Sequence, residues 1–170
     1  MSSISFNEVP ANIRVPGVFI EIDNSLANSG EDIQRVLIVG TKSGGDTDND
    51  VVVSTVTPDA AAKRFGAGSQ IHTMVTAFYE QNVALPMYSV AVAGNDLGSA
   101  LAATGDDQYH HIVCALNDET NVRVLADFLQ ARYHALQQIP GLAYIAKKAV
   151  HSALVTYGEL FNSPFISVMP

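Results

Sequence analysis

Cysteine, tryptophan and charged residues are scarce in this chain of 170 residues. The one cysteine, Cys114, excludes a disulfide within the chain and is predicted to be a small buried side chain, because its neighbours are apolar. No apolar run reaches the ~20 residues that a membrane-spanning helix needs, and the start lacks the pattern of a signal peptide. We therefore expect an acidic, single-domain protein of the cytosol without a membrane partner.

Basic residues are also few, and their number bears on which kinds of partner the protein can bind. The nine Lys and Arg residues are scattered and the formal net charge is −8, so the sequence lacks the basic surface of a nucleic-acid-binding protein. Charged residues make up 15% of the chain and hydrophobic residues 48%. Since average proteins have about 25% charged residues, this composition predicts a surface that is partly covered by a neighbour.

Apolar segments with strand periodicity alternate with segments that have helical periodicity. The run from Val36 to Val39, ended by Gly40, is typical of a strand buried on both faces of a parallel sheet. Further strands are predicted at residues 51–56, 86–93, 109–116, 142–148 and 164–170, and helices at 59–65, from 69 onward, at 95–106, from 117 or 118 to 140, and at 150–161. The alternation predicts an α/β fold, a three-layer sandwich with a mostly parallel sheet flanked by helices.

Capping residues set the predicted helix starts. Thr57 precedes Pro58, Ser69 precedes an amphipathic run that begins at Ile71, and Asn117 or Asp118 caps the longest helix. The apolar stripe of that longest helix is predicted to be Val122, Leu125, Ala126, Leu129, Tyr133 and Leu136, and Pro140-Gly141 ends it.

The opening segment has strand periodicity but no evident partner strand. Val18, Ile20 and Ile22 alternate with one aromatic and two acidic residues, as in a half-buried strand. Prolines stiffen its approach, and the turn-rich stretch 24–32 follows it. The residues alone leave open whether the strand pairs within its own chain or with another.

Two glycine-rich loops could suggest phosphate binding. In "VLIVGTKSGGD", Lys42 and Ser43 precede Gly44, whereas a P-loop needs a lysine and a hydroxyl directly after its second glycine. In "FGAGSQIH", Ile71 stands where a dinucleotide fingerprint needs its third glycine. Both loops are therefore interpreted as turns, and no cofactor is predicted.

Asp46, Asp48 and Asp50 alternate as at the start of a calcium loop. Val51 replaces the required glycine, and Thr57 replaces the bidentate glutamate. We interpret this stretch as a solvated acidic loop, with a weak cation contact as the alternative.

No nucleophile or metal site is predicted. The sequence lacks a G-x-S-x-G motif, Ser69 is explained as a helix cap, and burial in a strand would keep the Cys114 thiol protonated and inert. The histidines form no i, i+4 pair with a glutamate, as a zinc site on a helix would need, and are predicted to be structural: His72, His110, His111, His134 and His151.

Longer stretches resemble the contractile-tail sheath proteins of Mu-like phages and prophages. They include "SFNEVPANIRVPGVFIEIDNSLA", "QRVLIVGTK", "TPDAAAKRFGAGSQIHTMVTAFYEQN", "LAATGDDQYHHIVCALND" and "LADFLQARYHALQQIPGLAYIAKK". The resemblance covers nearly the whole chain. It implies a subtilisin-like sheath domain that lacks the catalytic triad of the protease.

Members of that family are longer than this chain. They often carry an inserted domain at the place of Gly94-Asn95 and continue past "FISVMP" into a C-terminal domain. We therefore expect the chain to be a fragment of such a protein, with an unusually short or degraded prophage version as the alternative. The predicted organisation is an N-terminal arm with the first strand at residues 1–25 and a sheath core at residues 26–170.

The resemblance also implies a function and partners. A structural sheath subunit would polymerise with neighbouring subunits around the tail tube and contract during DNA delivery, in contact with baseplate and tail terminator proteins. It would reside in the virion tail after assembly in the bacterial host cytoplasm. The arm would add a strand to a neighbour's sheet through Val15, Val18, Phe19, Ile20 and Ile22.

Two alternatives of other classes stay open at this point. One is a small cytosolic α/β enzyme domain of nucleotide-binding or hydrolase type, and the other is an α/β binding module. An enzyme should gather polar groups with perturbed pKa values at the carboxyl ends of its strands.

Overall fold

Helices and strands alternate in the part of the chain that the structure, a computed structural model, describes, namely residues 33–81 and 84–170. The strands are β1 (Val36–Gly40), β2 (Val53–Ser54), β3 (Met87–Ala91), β4 (His111–Cys114), β5 (Leu142–Ala146) and β6 (Ile166–Met169). The helices are α1 (Pro58–Phe65), α2 (Gln70–Glu80), α3 (Leu97–Ala102), α4 (Glu119–Arg132) and α5 (His151–Glu159). The predicted opening strand lies outside the described residues.

The strands form one sheet in the order β2-β3-β1-β4-β5-β6. Strand β1 pairs in parallel with β3 on one side and with β4 on the other, so that Val36 lies beside both Met87 and His111. Strands β5 and β6 extend the parallel sheet, and β2 pairs antiparallel with β3. The chain order therefore reverses at β1, as in a doubly wound α/β fold.

Helices cover both faces of the sheet, which confirms the predicted three layers. On the face that we call the α4 face, α3, α4 and α5 bury residues such as Leu37, Ile112 and Leu125. On the opposite face, called the α2 face, α1 and α2 bury Val36, Ile38 and their neighbours. Every residue of β1 is buried, as its continuous apolar run predicts.

The α2 face is covered over only part of its width. Helices α1 and α2 pack on β1 and β3, whereas Leu142 on β5 is 46% exposed and Met169 on β6 is 51% exposed. The strand registers place one set of side chains in this region, which we call the open half-sheet: His111, Val113, Leu142, Tyr144, Ala146, Ser167 and Met169.

The predicted caps are confirmed. The hydroxyls of Thr57 and Ser69 accept the N–H groups of Ala60 and His72, each at 3.1 Å. The Asp118 carboxylate accepts the Asn121 N–H at 3.1 Å. Each such cap contributes about 1 kcal/mol to stability, so these residues have a structural role.

The prediction for the end of the longest helix was wrong. Helix α4 ends at Arg132, and Tyr133 and Leu136 are 57% and 90% exposed instead of lining the core. The Arg132 guanidinium bends toward the chain before β4 and donates to the carbonyls of Gly105 and Asp107. Residues 133–137 form turns, which the left-handed Gln138 follows with a φ of 53°.

Candidate functional site

The carboxyl ends of β1 and β4 are where this topology would place a ligand, because the chain order reverses there. Side chains of the protein hydrogen-bond to each other at this position. Gln70 Oε1 accepts hydrogen bonds from the Thr41 N–H at 3.2 Å and the Thr41 hydroxyl at 2.8 Å. A Cβ at Gly40 would lie 3.3 Å from Ile71 and 3.5 Å from Ala115, so the backbone is closely packed.

A carboxylate at the start of α4 is committed to neighbouring protein groups. Asp118 accepts hydrogen bonds from the Asn121 side chain at 2.7 Å and the Asn95 side chain at 3.3 Å. Desolvation acts to raise the pKa of Asp118, but the hydrogen bonds from Asn121 and Asn95 outweigh it and lower the pKa. Asp118 is therefore an ionised cap, which does not suit it to donate a proton as a general acid.

Tyr157 links α5 to the same edge of the sheet. Its hydroxyl donates to the Asn117 carbonyl at 2.7 Å, and the Asn117 side chain donates to the Ala146 carbonyl at 2.7 Å. Burial raises the pKa of Tyr157 to about 12. The hydroxyl is thus a structural donor that ties α5 to the ends of β4 and β5.

Cys114 is buried as predicted, with 3% of its surface exposed. Burial raises the pKa of its thiol to about 11, and Sγ contacts the Leu116 carbonyl at 3.5 Å. A thiol in this environment stays protonated near neutral pH and is a poor nucleophile.

The glycine-rich loop after β1 caps the end of α1. The N–H groups of Ser43, Asp46 and Thr47 donate to the last carbonyls of α1, those of Phe65, Lys63 and Arg64, at 3.0, 3.3 and 3.2 Å. Lys42 Nζ donates to the Thr47 carbonyl at 2.6 Å. Because the amides and the ammonium group are used within the protein, this arrangement does not form a phosphate cradle, which agrees with the interpretation as a turn.

The acidic loop does not assemble a cation site. Asp46 Oδ2 lies 3.8 Å from Lys63 Nζ, and the Asp50 N–H donates to the Ala91 carbonyl at 2.8 Å. Within residues 33–81 and 84–170, no three His, Cys, Asp or Glu side chains are grouped so that they could hold a metal ion.

Three of the histidines contact protein groups, as expected for structural residues. His72 Nδ1 accepts the Gly68 N–H at 3.0 Å, and His110 Nδ1 accepts the Arg35 N–H at 3.1 Å. His111 lies between the Tyr144 hydroxyl at 3.2 Å and Gln34 Oε1 at 3.1 Å.

The residues predicted for the inter-subunit arm lie outside the described residues: Val15, Val18, Phe19, Ile20 and Ile22. The structure instead reveals two surfaces that the sequence reasoning missed. Strand β6 is the last strand of the described sheet, with β5 on one side only, and the open half-sheet begins on that same strand. The one available signal was that both faces of β5 and β6 are largely apolar, which predicts cover on both faces.

No helix in the described part of the chain is long and apolar enough to cross a membrane.

Comparisons with known proteins find similarity to one class of protein, the sheath proteins. The chain is similar to the Mu-like prophage FluMu tail sheath protein of Haemophilus influenzae, with 31% identity over 94% of this chain and 36% of that protein. The resemblance inferred from the sequence is thereby confirmed. No protein-family model matches the chain.

A solved structure has the same fold. The helical sheath of the anti-feeding prophage in its contracted state superposes with a TM-score of 0.55 and 20% identity, over 92% of this chain and 45% of that one. The chain thus spans less than half the length of either relative.

Proposed function

We propose that this chain, a relative of the tail sheath protein of a Mu-like prophage, is a structural subunit of a contractile phage or prophage tail sheath. The observation that carries the proposal is the 31% identity to a named tail sheath protein over 94% of the chain. In this role the subunits form a sleeve around the tail tube and contract during DNA delivery. Baseplate and tail terminator proteins are the further proposed partners, and the virion tail is the proposed location after assembly in the host cytoplasm.

The proposed role is mechanical, and the domain corresponds to a subtilisin-like sheath core without catalytic residues. The side chains at the carboxyl edge of the sheet support this proposal, because they are bonded to other groups of the protein or buried. Asp118 caps a helix, Tyr157 ties α5 to the edge, and Cys114 is buried and protonated near neutral pH. The acidic net charge of −8 argues against a role in binding nucleic acid.

Strand addition is the proposed connection between subunits. The arm at residues 1–25 would pair with a neighbour's sheet through its alternating apolar residues, and the outer edge of β6 offers unpaired main-chain groups in the described sheet. Main-chain hydrogen bonds would supply affinity, and alternate side chains would fix the register.

Two neighbouring substitutions in the arm test this connection. Ile20 and Glu21 alternate along the predicted strand, so Ile20→Lys places a charge on its apolar face and Glu21→Lys on its polar face. We expect velocity sedimentation to show assembly of the wild-type chain and the Glu21→Lys variant but loss of assembly for Ile20→Lys. Equal assembly of all three chains would contradict strand addition by the arm.

A further inference from the structure

Strand β2 lies at one edge of the described sheet and pairs there with β3. The N–H of Thr55, the residue after β2, donates to the Met87 carbonyl of β3 at 2.9 Å. Because the hydrogen-bonding directions alternate along an antiparallel strand, the N–H and the carbonyl of Ser54 point away from β3. The main-chain groups of Ser54 therefore lie at the outer edge of the sheet, where a further strand would pair.

The segment around β2 has the composition of an aggregation-prone strand. Residues 51–56, with the sequence VVVSTV, include four valines and contain no charged residue, proline or glycine. Val51 and Val56 are 44% and 67% exposed. Six-residue segments of this kind pair with identical segments of other copies when they lie at an accessible sheet edge. A protein with this segment at an edge needs a feature that prevents such pairing.

A side chain of α1 lies at this edge. The Arg64 guanidinium donates to the Ser54 carbonyl and so places a positive charge on the outward-facing group of β2. The segment is also bounded on both sides, because Asp50 has a left-handed φ of 57° and Pro58, which has no N–H, begins α1. Short length and a charged side chain are the two features that protect natural edge strands from pairing.

We propose that Arg64 blocks strand addition at the outer edge of β2. The contact is autoinhibitory, because the guanidinium must leave the Ser54 carbonyl before the N–H of another strand can bond to it. Removal of this side chain exposes residues 51–56 to the same segment of another copy, and identical segments stack in register. The inference does not depend on the proposed function, since it concerns an association that the native edge prevents.

Arg64→Ala tests the blocking role at concentrations where the wild-type chain is monomeric by sedimentation. Loss of one hydrogen bond from a charged donor should raise the rate of intermolecular β-sheet formation, followed by thioflavin T fluorescence, by about tenfold. Lys63→Ala is the matched control, because it removes an equal charge from the same helix, from a side chain that is 78% exposed and lies near Asp46. Arg64→Ala combined with Val56→Lys returns a charge to the edge without restoring the bond to Ser54, and should restore the wild-type rate.

The rates separate the blocking role from other causes of aggregation. Faster aggregation of Arg64→Ala, with wild-type rates for Lys63→Ala and for the double variant, supports the proposal. A wild-type rate for Arg64→Ala overturns it. Equal acceleration by Lys63→Ala would show that net charge controls aggregation, and a double variant as fast as Arg64→Ala would show that lost stability controls it. Both results overturn the proposal.

Hydrogen exchange locates the contact between copies. Mass spectrometry of peptides that cover residues 51–56 should show rapid exchange of the Ser54 N–H in the monomer, because this group points outward. The same N–H should be protected in aggregates of the Arg64→Ala variant. Rapid exchange in the aggregates would place the contact elsewhere in the chain and would overturn the proposal.

Discussion

Replacement of Gly45 by alanine should destabilise the protein through the contact between its loop and α1. Gly45 has a φ of +90°, and a Cβ there would overlap the Arg64 carbonyl and the Phe65 nitrogen. The left-handed conformation costs a non-glycine residue about 1–2 kcal/mol. Relief of the overlap must displace a loop whose three N–H groups bond the end of α1, at about 1 kcal/mol for each lost bond. The expected loss in the free energy of unfolding is thus about 2–5 kcal/mol.

Gly68→Ala is the matched control for this substitution. Gly68 has a similar φ of +76°, but nothing lies within 4 Å of its added Cβ. It should therefore show only the cost of the backbone conformation, about 1–2 kcal/mol. Urea unfolding followed by circular dichroism, at concentrations where the chain is monomeric, measures both variants. Equal losses of stability for the two variants would refute the stabilising contact between the loop and the end of α1.

Three further predictions concern side chains within the described fold. Tyr157→Phe removes the hydroxyl that donates to the Asn117 carbonyl and should lower the free energy of unfolding by about 1 kcal/mol. Because the raised pKa of about 12 favours the neutral hydroxyl in the folded state, the stability of the wild-type protein should be intact below pH 10 and fall between about pH 10 and 12. Urea titrations over that range should show a less steep fall in stability for the variant. The Cys114 thiol should react with a disulfide reagent only as fast as the protein opens and should react at once in denaturant, so immediate reaction of the native protein would contradict its burial. Arg132→Lys should lower the free energy of unfolding by about 2 kcal/mol, measured by thermal or urea unfolding, because lysine cannot bridge two carbonyls. The control Arg123→Lys, at an exposed ion pair, should lower it by less than about 0.5 kcal/mol. Equal effects of the two substitutions would refute the bridging role of Arg132.

Local sequence rules predicted the elements that local interactions determine. The apolar run from Val36 to Val39 identified the central strand, and Thr57, Ser69 and Asp118 identified three helix starts, because a cap depends on groups within one turn. The burial of Cys114 was also predictable, since a small apolar residue in the middle of a buried strand is identified by its neighbours in the sequence.

Features that depend on distant parts of the chain were not predictable. The early end of α4 depends on Arg132, which reaches carbonyls 25 and 27 residues away. The strand predicted at 51–56 is present only at Val53–Ser54, because only these residues lie in register with β3. The open half-sheet arises because α1 and α2 both pack on one side of β4, a consequence of strand order that periodicity does not contain.

Electron microscopy of the purified full chain tests the central claim most directly. Negatively stained samples at concentrations above the assembly threshold should contain rings or sleeves with an open centre, and the Ile20→Lys variant should contain none. A monodisperse monomer at every concentration, with a nucleotide or another small molecule bound at the carboxyl edge of the sheet, would contradict the sheath function.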